Sequence, residues 1–242
     1  MRVLIKPTKE REAEFAAQLI KEEILKKPDL KICFATGNSP INTYKNLIQM
    51  HKNGELSFAK VTSFNLDEYV GIPRENECSY HYFMHETLFN HIDIKKDNIN
   101  LPNGNGNIVK NAQDYEQLIR NKGGIDLMIL GIGTNAHIAF NEPGSLLTER
   151  TREVKLTQST INSNKIYFKN ENDVPKTAIS MGIKTILEAK KIILLADGDS
   201  KAQAIYDTIY AQIDPKTPSS FLRLHNDVTL IIDEYAAKKI IK

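Results

Sequence analysis

Ile125-Asp126-Leu127-Met128-Ile129-Leu130-Gly131-Ile132-Gly133-Thr134-Asn135-Ala136-His137-Ile138-Ala139-Phe140-Asn141-Glu142-Pro143 is the stretch on which the reading of the fold turns. Residues 125–130 are an apolar run of strand length, and Gly131 and Gly133 open a loop behind it. The loop formally matches G-x-G-x-x-A, the dinucleotide fingerprint, which requires a helix to begin at this point. Pro143 denies that continuation, because its ring removes an amide and clashes with a preceding carbonyl. A nicotinamide site is therefore the weaker alternative. The better reading is a buried strand that ends in a functional loop, with His137 between Asn135 and Glu142. An imidazole oriented by a carboxylate is an acid–base device near neutral pH.

Outward from that strand, further short apolar runs fall at 2–5, 31–35, 61–65, 178–181, 191–196 and 228–232. Amphipathic segments alternate with them. Phe15, Leu19, Ile20 and Ile24 recur at helical spacing within 9–26, behind Thr8 as a cap. Ile41, Tyr44, Leu47 and Ile48 do the same within 40–52, with Asn53-Gly54 as the stop, and further helices are predicted at 79–90, 111–121 and 200–211. The alternation predicts an α/β fold: a mostly parallel, doubly wound, Rossmann-like sheet in a three-layer sandwich, with residues 1–242 as a single domain. In such sheets ligands bind beyond the carboxyl ends of the strands.

The composition narrows the partners. Among 242 residues, Lys plus Arg total 32 and Asp plus Glu total 30, a net charge of +2 with no basic block. Nucleic acid and membrane binding thus have no compositional support. Cys33 and Cys78 are the only cysteines, too few for a disulfide framework or a metal cluster. No apolar run near Met1 is long enough for a signal peptide, so a reducing cytoplasm is expected.

Three more strand ends carry polar residues. Thr36-Gly37-Asn38-Ser39-Pro40 follows the second strand, with Ser39 and Pro40 in the pattern of an N-cap and first helical residue. It reads either as a phosphate cradle or as a plain strand–turn–helix connection. Phe64-Asn65-Leu66-Asp67-Glu68-Tyr69 runs an apolar strand into adjacent carboxylates, so Asp67 is a candidate base or a turn residue. Asp197-Gly198-Asp199-Ser200-Lys201 has Ser200 and Gln203 in capping-box spacing, which puts Lys201 in the first helical turn, facing an anionic ligand or solvent. His81 and His85 stand four apart without zincin order or an apparent third ligand, and His91 and His225 stand alone. No metal is expected.

Together these loops resemble the glucosamine-6-phosphate isomerase/deaminase family over essentially the whole chain. The resemblance rests on residues 35–40, 64–71, Ser79-Tyr80, 131–145 and 178–182, and Phe140-Asn141-Glu142-Pro143 is its most selective piece. The related 6-phosphogluconolactonases usually carry Arg after the Asp-Glu pair, where this chain has Tyr69. The resemblance implies conversion of glucosamine 6-phosphate and water to fructose 6-phosphate and ammonia without a cofactor. It implies ring opening by His137 with Asn135 and Glu142, and proton transfer from C2 to C1 by Asp67. Thr36, Gly37, Asn38, Ser39 and Lys201 would hold the phosphate, with Ala139 at the substrate and Tyr80 in a lid. Three positions depart from the family pattern. Asn135 stands where Asp is common, Ala136 replaces a common Gly that can adopt positive φ, and Ile166 occupies a place often held by a phosphate-binding Arg. The chain resembles the short, non-allosteric form, a monomer or homo-oligomer. A lactonase-like hydrolase and a non-catalytic sugar-phosphate sensor are the alternatives on the same fold.

Overall fold

The computed structural model describes residues 1–164, 168, 170 and 173–241. Among these residues ten strands are formed: β1 (Arg2–Lys6), β2 (Lys31–Phe34), β3 (Thr62–Asn65), β4 (Asp67–Tyr69), β5 (Ile99–Asn100), β6 (Leu127–Leu130), β7 (Arg152–Lys155), β8 (Thr177–Ser180), β9 (Lys191–Ala196) and β10 (Val228–Asp233). The helices are α1 (Lys9–Lys26), α2 (Ile41–Lys52), α3 (Tyr80–Thr87), α4 (Ile108–Asn121), α5 (Gln158–Asn164), α6 (Ile183–Leu187), α7 (Ala202–Tyr210) and α8 (Glu234–Ala237).

Seven strands make a sheet of order β1-β10-β9-β6-β2-β3-β5, parallel throughout. The two-residue period of the strands splits its side chains between two buried layers. Ile32, Phe34, Leu127, Ile129, Ile193 and Leu195 pack with Ile20 of α1, Leu47 of α2 and Met84 of α3. Cys33, Met128, Leu130, Ile192 and Leu194 pack on the other face with Tyr115 of α4, Ile186 of α6 and Ile205 of α7. Strands apolar on both faces and helices above and below give the three layers that the sequence predicts.

The strand expected at 178–181 forms, but elsewhere. It is β8, the centre of a small antiparallel sheet of order β4-β8-β7. Neither of its partners was expected as a strand. Asp67-Glu68-Tyr69 opens with two carboxylates, and Arg152–Lys155 alternates between half-buried and exposed charged residues, so both read as loop by propensity. Ser180 sits opposite Asp67 on one side and opposite Arg152 on the other. This second sheet stands at the carboxyl edge of the first, since only Leu66 separates β3 from β4.

Candidate active site

The carboxyl ends of β2, β3, β6 and β9 open on a cavity of about 460 Å³. Asp67, Asn135, His137, Ala139, Tyr80, Thr36, Gly37, Asn38, Ser39 and Lys201 all line it, so the loops singled out in the sequence converge on one place. Glu142 stands behind His137 and reaches the cavity through it.

Asp67 is the first residue of β4 and only 5% exposed. Burial, aided by the neighbouring charge of Glu68, pushes its carboxyl up to about 8. Glu68 turns the other way. Its carboxylate accepts the amides of Tyr69 at 2.8 Å, Tyr80 at 2.9 Å and His81 at 2.9 Å. Those last two amides open α3, so Glu68 anchors the positive end of that helix against β4. Tyr80, thus fixed, packs its ring on Tyr69 at 4.8 Å and on Phe140 at 6.0 Å, and these rings wall the cavity.

The histidine loop is braced from several directions. Asn135 Oδ1 accepts the His137 amide at 3.3 Å, and its Nδ2 donates to Glu142 Oε2 at 2.7 Å. Asn135 therefore holds the loop and the carboxylate in register rather than gripping the ring. His137 Nδ1 is buried and lies 3.4 Å from Glu142 Oε2, within ion-pair reach but without the geometry of a formed hydrogen bond. Glu142 Oε1 accepts the hydroxyls of Thr157, at 3.1 Å, and Thr160. Burial alone would raise the Glu142 carboxyl, but His137, Thr160 and Asn135 together hold it at about 2. Asn141 secures the turn: it donates to the carbonyls of Ile138 at 3.0 Å and Met181 at 2.8 Å and accepts from Arg152 at 3.0 Å.

Two backbone positions serve this loop. A side chain at Gly133 would place Cβ 2.3 Å from His137 Cε1, so glycine is required for the ring to lie where it does. Ala136 and Ala139 adopt positive φ, 64° and 49°. The expectation that Ala136 resists that conformation is thus overridden by the loop's hydrogen bonds, at a strain of about 1–2 kcal/mol relative to glycine.

At the other end, the 36–39 turn meets Lys201. The caps expected here do not form. Pro40, in helical conformation, precedes α2 without a side-chain cap, and Ser39 is aimed instead at Asp197. Ser200 and Lys201 belong to a short 3-10 turn (Asp199–Lys201) ahead of α7, so Ser200 does not cap the helix and lines the cavity. Lys201 Nζ donates to the Ile132 carbonyl at 2.7 Å, which ties this end to the histidine loop. Burial lowers its affinity for the proton, against the pull of Asp197. Asp197 is itself pushed up by burial and by Asp233, against the pull of Lys9 and Lys201. Ile166 lies outside the described residues.

The rings of His81 and His85 are 4.6 Å apart, but no group of three metal-ligating side chains is found among the described residues. His91 and His225 bond the carbonyls of Glu86 and Ala189.

The profile of the family described as glucosamine-6-phosphate isomerases/6-phosphogluconolactonase matches residues 7–231. The chain belongs to this family. A glucosamine-6-phosphate deaminase of Thermoanaerobacter sp. (strain X514) is 48% identical over 241 residues, 99% of this chain and 95% of that protein. One of Clostridium novyi (strain NT) is 50% identical over 226 residues, 93% of this chain and 94% of that protein. The solved structure of a monomeric glucosamine-6-phosphate deaminase superposes with a TM-score of 0.97 at 42% identity, covering 99% of this chain and 100% of that one. A 6-phosphogluconolactonase of Trypanosoma brucei shares the fold, with a TM-score of 0.79 at 20% identity over 99% of this chain and 98% of that one.

Sequence reasoning missed Glu68 as a helix anchor and Thr157 and Thr160 as partners of Glu142. For Glu68 no local signal existed, because its amide partners lie 12 and 13 residues downstream. For the threonines the sole trace was a T-x-x-T pattern at a helix start.

Proposed function

We propose that this chain is a glucosamine-6-phosphate deaminase, forming fructose 6-phosphate and ammonia from glucosamine 6-phosphate and water. The observation that carries the reading is the placement of two carboxyl groups of opposite character at one cavity, Asp67 in its wall and Glu142 behind the His137 that lines it. Asp67 is a buried acid raised to about 8, and Glu142 is an ionised carboxylate at about 2 behind His137. Pairs driven apart in this way divide acid–base work between them.

His137 opens the pyranose by taking the O1 proton and returning one to O5, while Glu142 steadies the transient imidazolium. Asp67 then removes the proton from C2 of the open-chain aldehyde. A carboxylate raised by burial is a stronger base than a solvated one, and the substrate's ammonium beside it favours its ionised form. The ammonium passes a proton to the developing alkoxide at O1, giving an enol-amine, and Asp67 returns the proton it took to C1, which leaves an iminium at C2. Water adds there and ammonia departs. No step needs a redox cofactor. The 36–39 turn and Lys201 hold the phosphate, and Tyr80 with Phe140 shields the carbons from solvent. Ala139, at positive φ in the wall, offers the sugar backbone atoms.

Residues 1–242 act as one domain in amino-sugar catabolism, in a reducing cytoplasm. Two free cysteines support that setting, and no helix among the described residues is long and apolar enough to cross a membrane. Ammonia release from glucosamine 6-phosphate is the direct test. Binding without ammonia would mark a sensor, and hydrolysis of 6-phosphogluconolactone in its place would mark a lactonase.

A further inference from the structure

Glu142 has two oxygens with separate duties. Oε2 takes Asn135 at 2.7 Å and faces His137 Nδ1 at 3.4 Å. Oε1 takes the hydroxyls of Thr157 and Thr160, which stand at the start of α5. Thr157 Oγ1 also accepts the Thr160 amide at 3.3 Å, a cap bond that fixes where both hydroxyls stand. Thr160 is 5% exposed and forms part of the cavity wall. One residue thus joins the substrate's surroundings to the far side of the carboxylate that serves the histidine.

We propose that Thr160, supported by Thr157, is a positioning residue for the His137–Glu142 pair, holding Glu142 ionised and its Oε2 turned to the imidazole. A buried carboxylate held firmly through Oε2 alone is free to turn about that contact and competes for the imidazole's proton. Hydroxyl donors on Oε1 stabilise the charged form and lock the carboxylate plane, so the proton stays on the ring during O1-to-O5 transfer. His137 is the titratable group facing Glu142, and the other partners, Asn135, Thr157 and Thr160, are uncharged. The inference rests on the role given to His137 above.

Thr160→Val keeps the shape of the side chain and removes the hydroxyl; Thr160→Ser restores the hydroxyl. The Glu142 carboxyl is followed by carbon-13 NMR in the protein without substrate, alongside steady-state kinetics. In Thr160→Val the proton affinity of Glu142 is expected to rise about tenfold or more, and kcat to fall about tenfold or more with KM within about threefold. Thr160→Ser should recover both. Should the valine variant not fold, Thr160→Ala carries the same expectation. An unmoved Glu142 titration overturns the proposal. So does a serine variant as impaired as the valine one, or a loss confined to KM, which would make Thr160 a substrate contact. The titration needs no turnover, so a wild-type protein that releases no ammonia would refute the deaminase reading and leave this result standing.

Discussion

Asp67 and Glu142 are both buried carboxyl groups at one cavity, yet the first is raised to about 8 and the second held at about 2. Burial acts on both in the same direction. The difference lies in the donors. Glu142 stands in a loop that brings it Asn135, Thr157, Thr160 and the edge of an imidazole. Asp67 stands on a strand whose neighbouring acid, Glu68, has taken the amides at the start of α3 for itself. At Glu142 the donors outweigh burial and leave a fixed negative charge; at Asp67 nothing offsets burial, and the group is a base. Glu68 lies between them, its carboxyl still raised by burial despite three amide donors, so the balance of burial against donors decides which task a buried acid performs.

The comparison can be broken at either end. The largest effect belongs to Asp67→Asn, expected to lower kcat by about 10⁴ and to abolish exchange of the C2 proton with deuterated solvent, while binding changes little. Exchange that persists would move the base elsewhere. Next comes His137→Gln, expected to slow turnover about 10³-fold through ring opening, with an open-chain analogue still binding normally in calorimetry. Gly133→Ala, which drives a methyl into the imidazole, should lower kcat about 10²-fold without loss of fold, as judged by circular dichroism.

The smallest effect sharpens the contrast on stability. The fold binds the Asp67 proton more tightly than the unfolded chain does, so Asp67 destabilises it increasingly as pH rises from 3.8 to about 8. Glu142 has the opposite sign, contributing stability above its ordinary 4.5 that is lost as pH falls towards about 2. Near pH 9, thermal melts should therefore show Asp67→Asn several degrees more stable than wild type, and Glu142→Gln less stable. Equal shifts for both variants would remove the contrast.

How much of this could be read in the chain depended on how local the cause was. α1 runs over Lys9–Lys26 behind its Thr8 cap as the periodicity predicts, because cap and apolar stripe are written in adjacent residues. The loops at the ends of β2, β3, β6 and β9 were legible because the doubly wound sheet gathers strand ends at one edge. Ser39 and Ser200 misled, since their surroundings at the cavity override a local capping preference. β4 and β7 escaped notice because their pairing with β8 joins segments far apart in sequence, and no short window of residues encodes it. Thr160 and Glu68 belong with them.

Leu66 is the sole residue between β3 of the parallel sheet and β4 of the antiparallel one, and its carbonyl is bonded by the Met181 amide at 2.8 Å. The candidate base therefore hangs from a splice between the two layers of hydrogen-bonded strands, with no slack on either side. It cannot detach by local fraying while the rest of the molecule persists. The amides around 64–69 should accordingly exchange with solvent only when the whole molecule opens, and heat should abolish turnover and folded structure at the same temperature.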